Sequence, residues 1–245
     1  MKNKFLLFVS MSITIIISIT SCGLKTGYLK YEGKGNEIIV SERIKEFMKE
    51  NESPSIVLKV PKTEQKSTES DLNNYIYSAI EKELALAGFN VKDRGLYNEI
   101  VGKADAIDYN ELKKLTKTDL ILELVNIDRE IKYVTNVLYT KDGEERYYED
   151  YHFDRYGAVI EFKITIIENN QYGGSYTFNY NPCENINKDK CICQVGYKKL
   201  PNKAYPHLNM CNVDNEIEKY DLVERNVLEE FVRDGVKKMI AEIKK

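Results

Sequence analysis

Tryptophan is absent from the 245 residues, and histidine occurs only twice, as His152 and His207. Catalysis that moves protons through paired imidazoles therefore has little to work with. There is no glycine-rich phosphate loop, no nucleophile signature and no helical His pair at metal-ligand spacing. The 36 Lys and Arg against 39 Asp and Glu give a formal charge of minus 3, and no basic run carries interleaved aromatics. A nucleic-acid partner would have no electrostatic footprint to hold. No motif calls for a cofactor or a metal. These absences point away from turnover and towards binding.

What is present begins at the N-terminus. Lys2 and Lys4 precede an apolar run over residues 5–19, broken only by Ser and Thr, which is too short for a spanning helix and has the flanks of a secretory signal. It closes on Ile19-Thr20-Ser21-Cys22-Gly23, which resembles the lipobox of bacterial lipoproteins: an aliphatic residue three before the cysteine, and small residues directly before it. The resemblance implies cleavage after residue 21, a diacylglycerol on the Cys22 thiol, and attachment to the membrane through that lipid. The competing reading is an ordinary secretory signal with an incidental cysteine. Gly23 is not the aspartate that in some lipoproteins retains the chain at the inner membrane, which favours the outer membrane and the periplasmic side. Cleavage leaves 224 residues and, with Lys2 and Lys4 gone, a formal charge of minus 5. That length suits one domain of ordinary size.

Residues 55–127 form the organising stretch. Ser55-Ile56-Val57-Leu58-Lys59-Val60 is a short apolar segment closed by Pro61, and Asp119-Leu120-Ile121-Leu122-Glu123-Leu124-Val125 is a second. Between them Leu72, Tyr75, Ile76, Ala79, Ile80, Leu84 and Ala87 recur at helical spacing, with Ser70 placed as N-cap and Gly88 as the left-handed stop. Phe89-Asn90-Val91 and a helical piece over 108–117 complete a β-α-β-α-β order, the pattern of an α/β or α+β core with helices laid on a sheet. A long C-terminal helix from about Tyr220 carries Val223, Val227, Leu228, Phe231, Val232, Val236, Met239, Ile240 and Ile243, with lysines in its last turn as the helix dipole prefers. Residues 22–51 read as a polar tether ending in a short strand at Ile38-Ile39-Val40 and a helix with Ile44, Phe47 and Met48, docked on a domain spanning 52–245.

Beyond the core the period falls to two. Residues 132–140 alternate, Lys141-Asp142-Gly143-Glu144 supplies a hairpin turn, and 145–153 returns. Residues 157–167 alternate again, followed by a polar turn at 169–174 and a strand over 175–180. Nine of the eighteen tyrosines fall within 133–180. Tyrosine fits a half-buried pleat and is also favoured at interfaces, so Tyr147, Tyr148, Tyr151 and Tyr156 are candidate anchors for a protein partner. An enzyme or metal site would be sought at Asp150, His152 and Asp154, which a strand sets on one face, although a solvated polar edge explains the same pattern. Residues 182–213 have few periodic apolars and hold Cys183, Cys191, Cys193 and Cys211. In an exported chain these imply disulfides, with Cys191 and Cys193 too close to pair together and each expected to bridge elsewhere, one to Cys183 and one to Cys211. A thiol site with His207 is the alternative, against which stands a Cys-x-Cys spacing unlike that of structural zinc knuckles.

The lipobox, the strand, the helix ending in Ala87-Gly88-Phe89-Asn90-Val91-Lys92-Asp93-Arg94, and the Thr118-Asp119-Leu120-Ile121-Leu122 strand together resemble the CsgG family of curli-secretion lipoproteins and the related LpoB activators of penicillin-binding proteins. The resemblance implies a strand pair across Tyr172-Gly173-Gly174, a closing helix, and a role in envelope assembly or secretion by binding an envelope protein. It also raises the alternative of a subunit in a homo-oligomeric secretion complex. The hairpin carries Lys141, Asp142, Glu144, Glu145, Arg146, Glu149, Asp150 and Asp154, which leaves no continuous apolar band and argues against a membrane-spanning barrel.

Overall fold

The computed structural model describes residues 24–61, 70–95, 97, 109–149, 152–182, 185–187, 190–199, 204–206 and 223–245. In chain order the elements are β1 (Leu24–Glu32), β2 (Glu37–Val40), α1 (Glu42–Glu50), β3 (Ser55–Lys59), α2 (Ser70–Leu86), β4 (Asn90–Val91), α3 (Tyr109–Thr116) and β5 (Leu120–Thr135). They continue with β6 (Val137–Thr140), β7 (Glu145–Tyr147), β8 (Phe153–Ile166), a 3-10 turn at Glu168–Asn170, β9 (Gln171–Tyr180), β10 (Asn185–Asn187), β11 (Lys190–Lys199), β12 (Ala204–Pro206) and α4 (Arg225–Ile243). The fold is α+β, with two six-stranded sheets. The chain divides into two compact units: a larger one from 32–133, 154–191 and 220–245, and a smaller one from 1–31, 134–153 and 192–219.

The larger unit is built on the sheet β2-β9-β8-β5-β3-β4. The expected β-α-β-α-β order is there, and β3 pairs parallel with both β4 and β5. Because strand side chains alternate, the sheet buries two different sets. Ile56, Leu58, Leu120, Leu122, Ile160, Phe162, Ile164, Tyr176 and Phe178 form one core with Ile44 and Phe47 of α1, Ile76, Ile80 and Leu84 of α2, and Leu228, Val232, Val236 and Met239 of α4. Val57 and Ile121 form a second with Tyr97, Ile167 and Leu112 of α3.

Two polar devices fix this arrangement. The Asp119 carboxylate accepts from the Ser55 amide at 2.9 Å and lies 2.6 Å from the Ser55 hydroxyl, which in turn accepts from the Asp119 amide at 3.0 Å. This clasp sets Ile56 opposite Leu120 in the parallel pair. Between α2 and α4, the buried Glu83 carboxylate accepts from Arg233 at 2.8 Å, and Arg233 also holds Glu229 at 2.8 Å. The stop at Gly88 is as expected: its φ is +92°, and the Phe89 amide reaches back to the Leu84 carbonyl at 3.1 Å. At Gly174, φ +151°, any Cβ would meet the Ile39 carbonyl at 2.6 Å, so glycine lets β2 close on β9.

Several elements differ from the sequence reading. The strand starting after Asp119 does not stop near Val125 but continues to Thr135, through residues that are mostly exposed or half-buried; β5 and β8 are neighbours in the sheet, so backbone pairing rather than burial extends it. The polar turn expected over 169–174 shrinks to Glu168–Asn170, and β9 pairs with β8 from Gln171 opposite Ile166 to Tyr180 opposite Ala158. The lysines placed in the last turn of the C-terminal helix lie beyond it: the last turn is without basic residues, and Lys244 instead donates to the Ala87 carbonyl at 2.7 Å, capping α2. That helix starts at Arg225, leaving Val223 and Glu224 outside it, while position 220 falls outside the described residues.

The smaller unit contains most of the sheet β10-β11-β1-β6-β7, with β12 paired to β11. The stretch read as a tether over 22–51 holds β1, which pairs with β6, Tyr28 opposite Tyr139, and buries Leu29 and Tyr31. Its alternation is masked in the sequence by lysines and glycine. The hairpin turn is as expected, with Gly143 at φ +84° and the Thr140 amide donating to the Glu144 carbonyl. The cysteine-bearing stretch, read as loop-rich, contains β10, β11 and β12, ordered through backbone ladders rather than apolar periodicity. Among the described residues no helix is long and apolar enough to cross a membrane.

Candidate functional site

Among the described residues, the hairpin β6-β7 presents tyrosine most openly. It lies at the end of its sheet, so the outer backbone edge of β7 has no neighbouring strand among the described residues. Val137 stands opposite Tyr147 in the ladder, and Tyr147 is 68% exposed at the end of β7. A large aromatic ring held open on a rigid terminal strand costs little further entropy when a partner covers it.

The four proposed anchors do not behave alike. Tyr148 is half-buried, its amide donates to the Asn136 carbonyl at 2.9 Å, and its ring meets Phe153 edge-on at 5.6 Å and 89°. It packs the smaller unit rather than presenting a surface. Tyr156 is half-buried on β8 and belongs to the larger unit. Tyr151 lies outside the described residues. Other tyrosines of the set are structural: Tyr133 is buried, with its hydroxyl donating to Asn181 Oδ1 at 2.9 Å, and Tyr176 sits in the core. Tyr139 carries the Lys30 ammonium 3.6 Å from its ring centre, and burial, then the neighbouring Glu145 charge, raises its hydroxyl above the ordinary range.

At the acidic edge, His152 is exposed and Asp150 lies outside the described residues. Asp154 is ion-paired with Lys132 at 2.5 Å, an exposed contact whose hydrogen bond raises the lysine. Its carboxylate is therefore already matched by a cation. Among the described residues no cluster of three or more His, Cys, Asp or Glu could hold a metal. Cys22, Cys183, Cys211 and His207 lie outside the described residues. Positions 191 and 193 are on β11, with Cys191 opposite Asn185.

The sequence reading gave the Gly88 to Arg94 phrase no chemistry, and the structure gives it a mechanical role. The Arg94 guanidinium stacks 4.8 Å over the buried Tyr77 ring, lies 3.5 Å from Glu81 and reaches Asn74 at 3.4 Å. One arginine thus ties the exit of β4 back to three positions of α2. Burial raises the Glu81 carboxyl above its usual range; Arg94 opposes this and Asp93 adds to it.

No family model and no curated protein matches the chain. Among solved structures it is similar to the crystal structure of a PDZ domain protein from Parabacteroides distasonis, at 11% identity and a TM-score of 0.29, covering 71% of this chain. The chain spans 40% of that protein's length, and a likeness this low bears on neither fold nor function.

Proposed function

We propose that this is a lipid-anchored lipoprotein of the bacterial envelope that acts by binding a protein partner, in envelope assembly or secretion, rather than by turnover. Ile19-Thr20-Ser21-Cys22 supports the anchor, with diacylglycerol on Cys22 and the chain on the periplasmic side, at the outer membrane. Three acyl chains, the usual complement of that class, would hold it essentially permanently, whereas a single chain gives only marginal attachment. The CsgG- and LpoB-like phrase at Gly88 to Arg94 supports the envelope role as a pattern resemblance. The disulfides of Cys183, Cys191, Cys193 and Cys211 belong to the same reading, as does the oxidising compartment.

The observation that carries the binding role is Tyr147, open on the terminal strand of its sheet. Its test is photo-cross-linking in intact cells from a photoreactive residue at the neighbouring exposed position 149. One partner band should appear, and it should be lost in Tyr147→Ala while the melting temperature stays unchanged. Cross-links that survive this substitution would move the face elsewhere. The anchor is tested separately: Cys22→Ala should accumulate as uncleaved precursor without labelled palmitate, and equal labelling of both forms would remove it.

A further inference from the structure

One cavity of the larger unit is separate in role from the tyrosine hairpin. It has a volume of about 300 Å3 and lies between the last residues of β9 and the outer side of α4. Gly235 lines it: a Cβ there would stand 3.2 Å from the Phe178 ring, tighter than an ordinary contact, so glycine eases the close approach of the helix backbone to β9. The Tyr180 and Phe231 rings line it, 5.7 Å apart and tilted by 55°. Around those rings stand polar groups whose hydrogen-bonding capacity is only partly used. Asn36 spends its Oδ1 on the Asn179 amide at 2.8 Å, and Asn179 spends its Nδ2 on the Gly35 carbonyl at 2.7 Å. That leaves the Asn36 amide NH2, the Asn179 amide oxygen, the Glu230 carboxylate and the Lys238 ammonium, on residues that line the cavity, without a further protein partner among the described residues; Asn36, Glu230 and Lys238 are exposed to water.

The chemistry narrows the ligand. A phosphate or carboxylate would meet the Glu230 carboxylate and an Asp234 already paired with Lys237 at 3.6 Å, with Lys238 left to oppose Glu230, and a purely apolar ligand would desolvate the polar side chains of the lining. A ring with apolar C–H faces and hydroxyls that both donate and accept satisfies the aromatic walls and the mixed donors and acceptors together. We propose that this cavity is a subsite for a pyranose sugar. At the lower end of small-molecule sites, about 300–1,000 Å3, it takes one or two sugar rings rather than a long chain. The assignment is independent of the partner face at Tyr147.

The test uses the full mature chain, isotopically labelled, titrated with N-acetylglucosamine, the methyl glycosides of glucose and galactose, and chitobiose. Amide shifts should move at 178–181 and 227–238 for at least one sugar, with a dissociation constant of about 1–10 mM, an affinity that a site of this size readily supplies. Binding of a methyl glycoside identifies the terminal unit of a chain as the source; binding of reducing sugars alone identifies a free sugar. The exposed Asn36→Ala and Glu230→Ala leave the core untouched and should each weaken binding about tenfold, near 1.4 kcal/mol. No shift at these residues with any of the sugars at about 50 mM, or unchanged affinity in both variants, overturns the proposal.

Discussion

The larger unit packs apolar side chains against both faces of its sheet, with α1, α2 and α4 on one side and α3 with Tyr97 on the other. In the smaller unit, also organised around a sheet, the buried side chains among the described residues are few: Leu29, Tyr31, Leu138, Thr140 and Phe153. Strand pairing alone is a weak source of stability, because intramolecular hydrogen bonds replace bonds to water at little net gain. The larger unit can therefore stand on its core. Among its described residues the smaller unit is held by its ladders and by contacts such as Lys30 over Tyr139. A surface that meets partners is better drawn from the second kind of structure, where exposed tyrosine does not compete with a core.

The sharpest way to break this contrast is a matched pair of cavities. Phe162→Ala, in the core of the larger unit, should cost about 3–5 kcal/mol in urea unfolding. Leu138→Ala should cost less, at the low end of about 2–5 kcal/mol, because a thin cluster collapses onto the gap more easily. Equal losses would mean that the smaller unit has a core of its own. Next comes Arg233→Ala, which strands the buried Glu83 carboxylate and should destabilise by about 3 kcal/mol. A loss below about 0.5 kcal/mol in thermal or urea unfolding would show that α2 and α4 are held by apolar packing alone.

The clasp gives a smaller effect. Asp119→Ala leaves the Ser55 amide without its acceptor and should cost about 2 kcal/mol, while Asp119→Asn keeps an acceptor and should retain half or more of it. The smallest effect is in pH. Burial raises Glu81, so the native state holds that proton more tightly than the unfolded chain does. Its contribution to stability is present below the ordinary glutamate range and is lost as pH rises through the raised native value. Urea midpoints measured from about pH 4 to about pH 7 should fall less in Glu81→Gln than in the wild type. Parallel pH profiles would show that Arg94 fully offsets the burial.

The sequence carried the larger unit well because its signals are periodic and locally complete. Leu72 to Ala87 marks α2, Gly88 marks its end, and Leu120 to Leu124 marks the buried half of β5. It carried the smaller unit poorly for the same reason. β1 is ordered by β6 and β11, far along the chain, β10 and β12 pair locally with β11, and Lys25, Lys30 and Lys190 interrupt any apolar rhythm. The extension of β5 to Thr135 is likewise a property of its pairing. At the tyrosine face, composition weighted four residues equally, whereas position decides between them: Tyr147 ends a terminal strand, while Tyr148, one residue later, turns onto Phe153. The Asp119 and Arg94 signals were visible as pattern, but their partners Ser55 and Tyr77 are not neighbours in sequence.

The clasp also bears on how fast the chain can fold. Ser55 and Asp119 are separated by 64 positions, and the parallel pair they lock cannot form until the whole intervening crossover has closed. Closing a loop of that length costs about 4 kcal/mol of chain entropy before any contact across it is gained. Helices α2 and α4 can fluctuate into shape in microseconds, but non-local strand pairing sets the pace for folds of this kind. The hydroxyl and carboxylate that fix the register of β3 against β5 therefore act at the slow step, making the correct alignment the one that is held once the two distant strands meet.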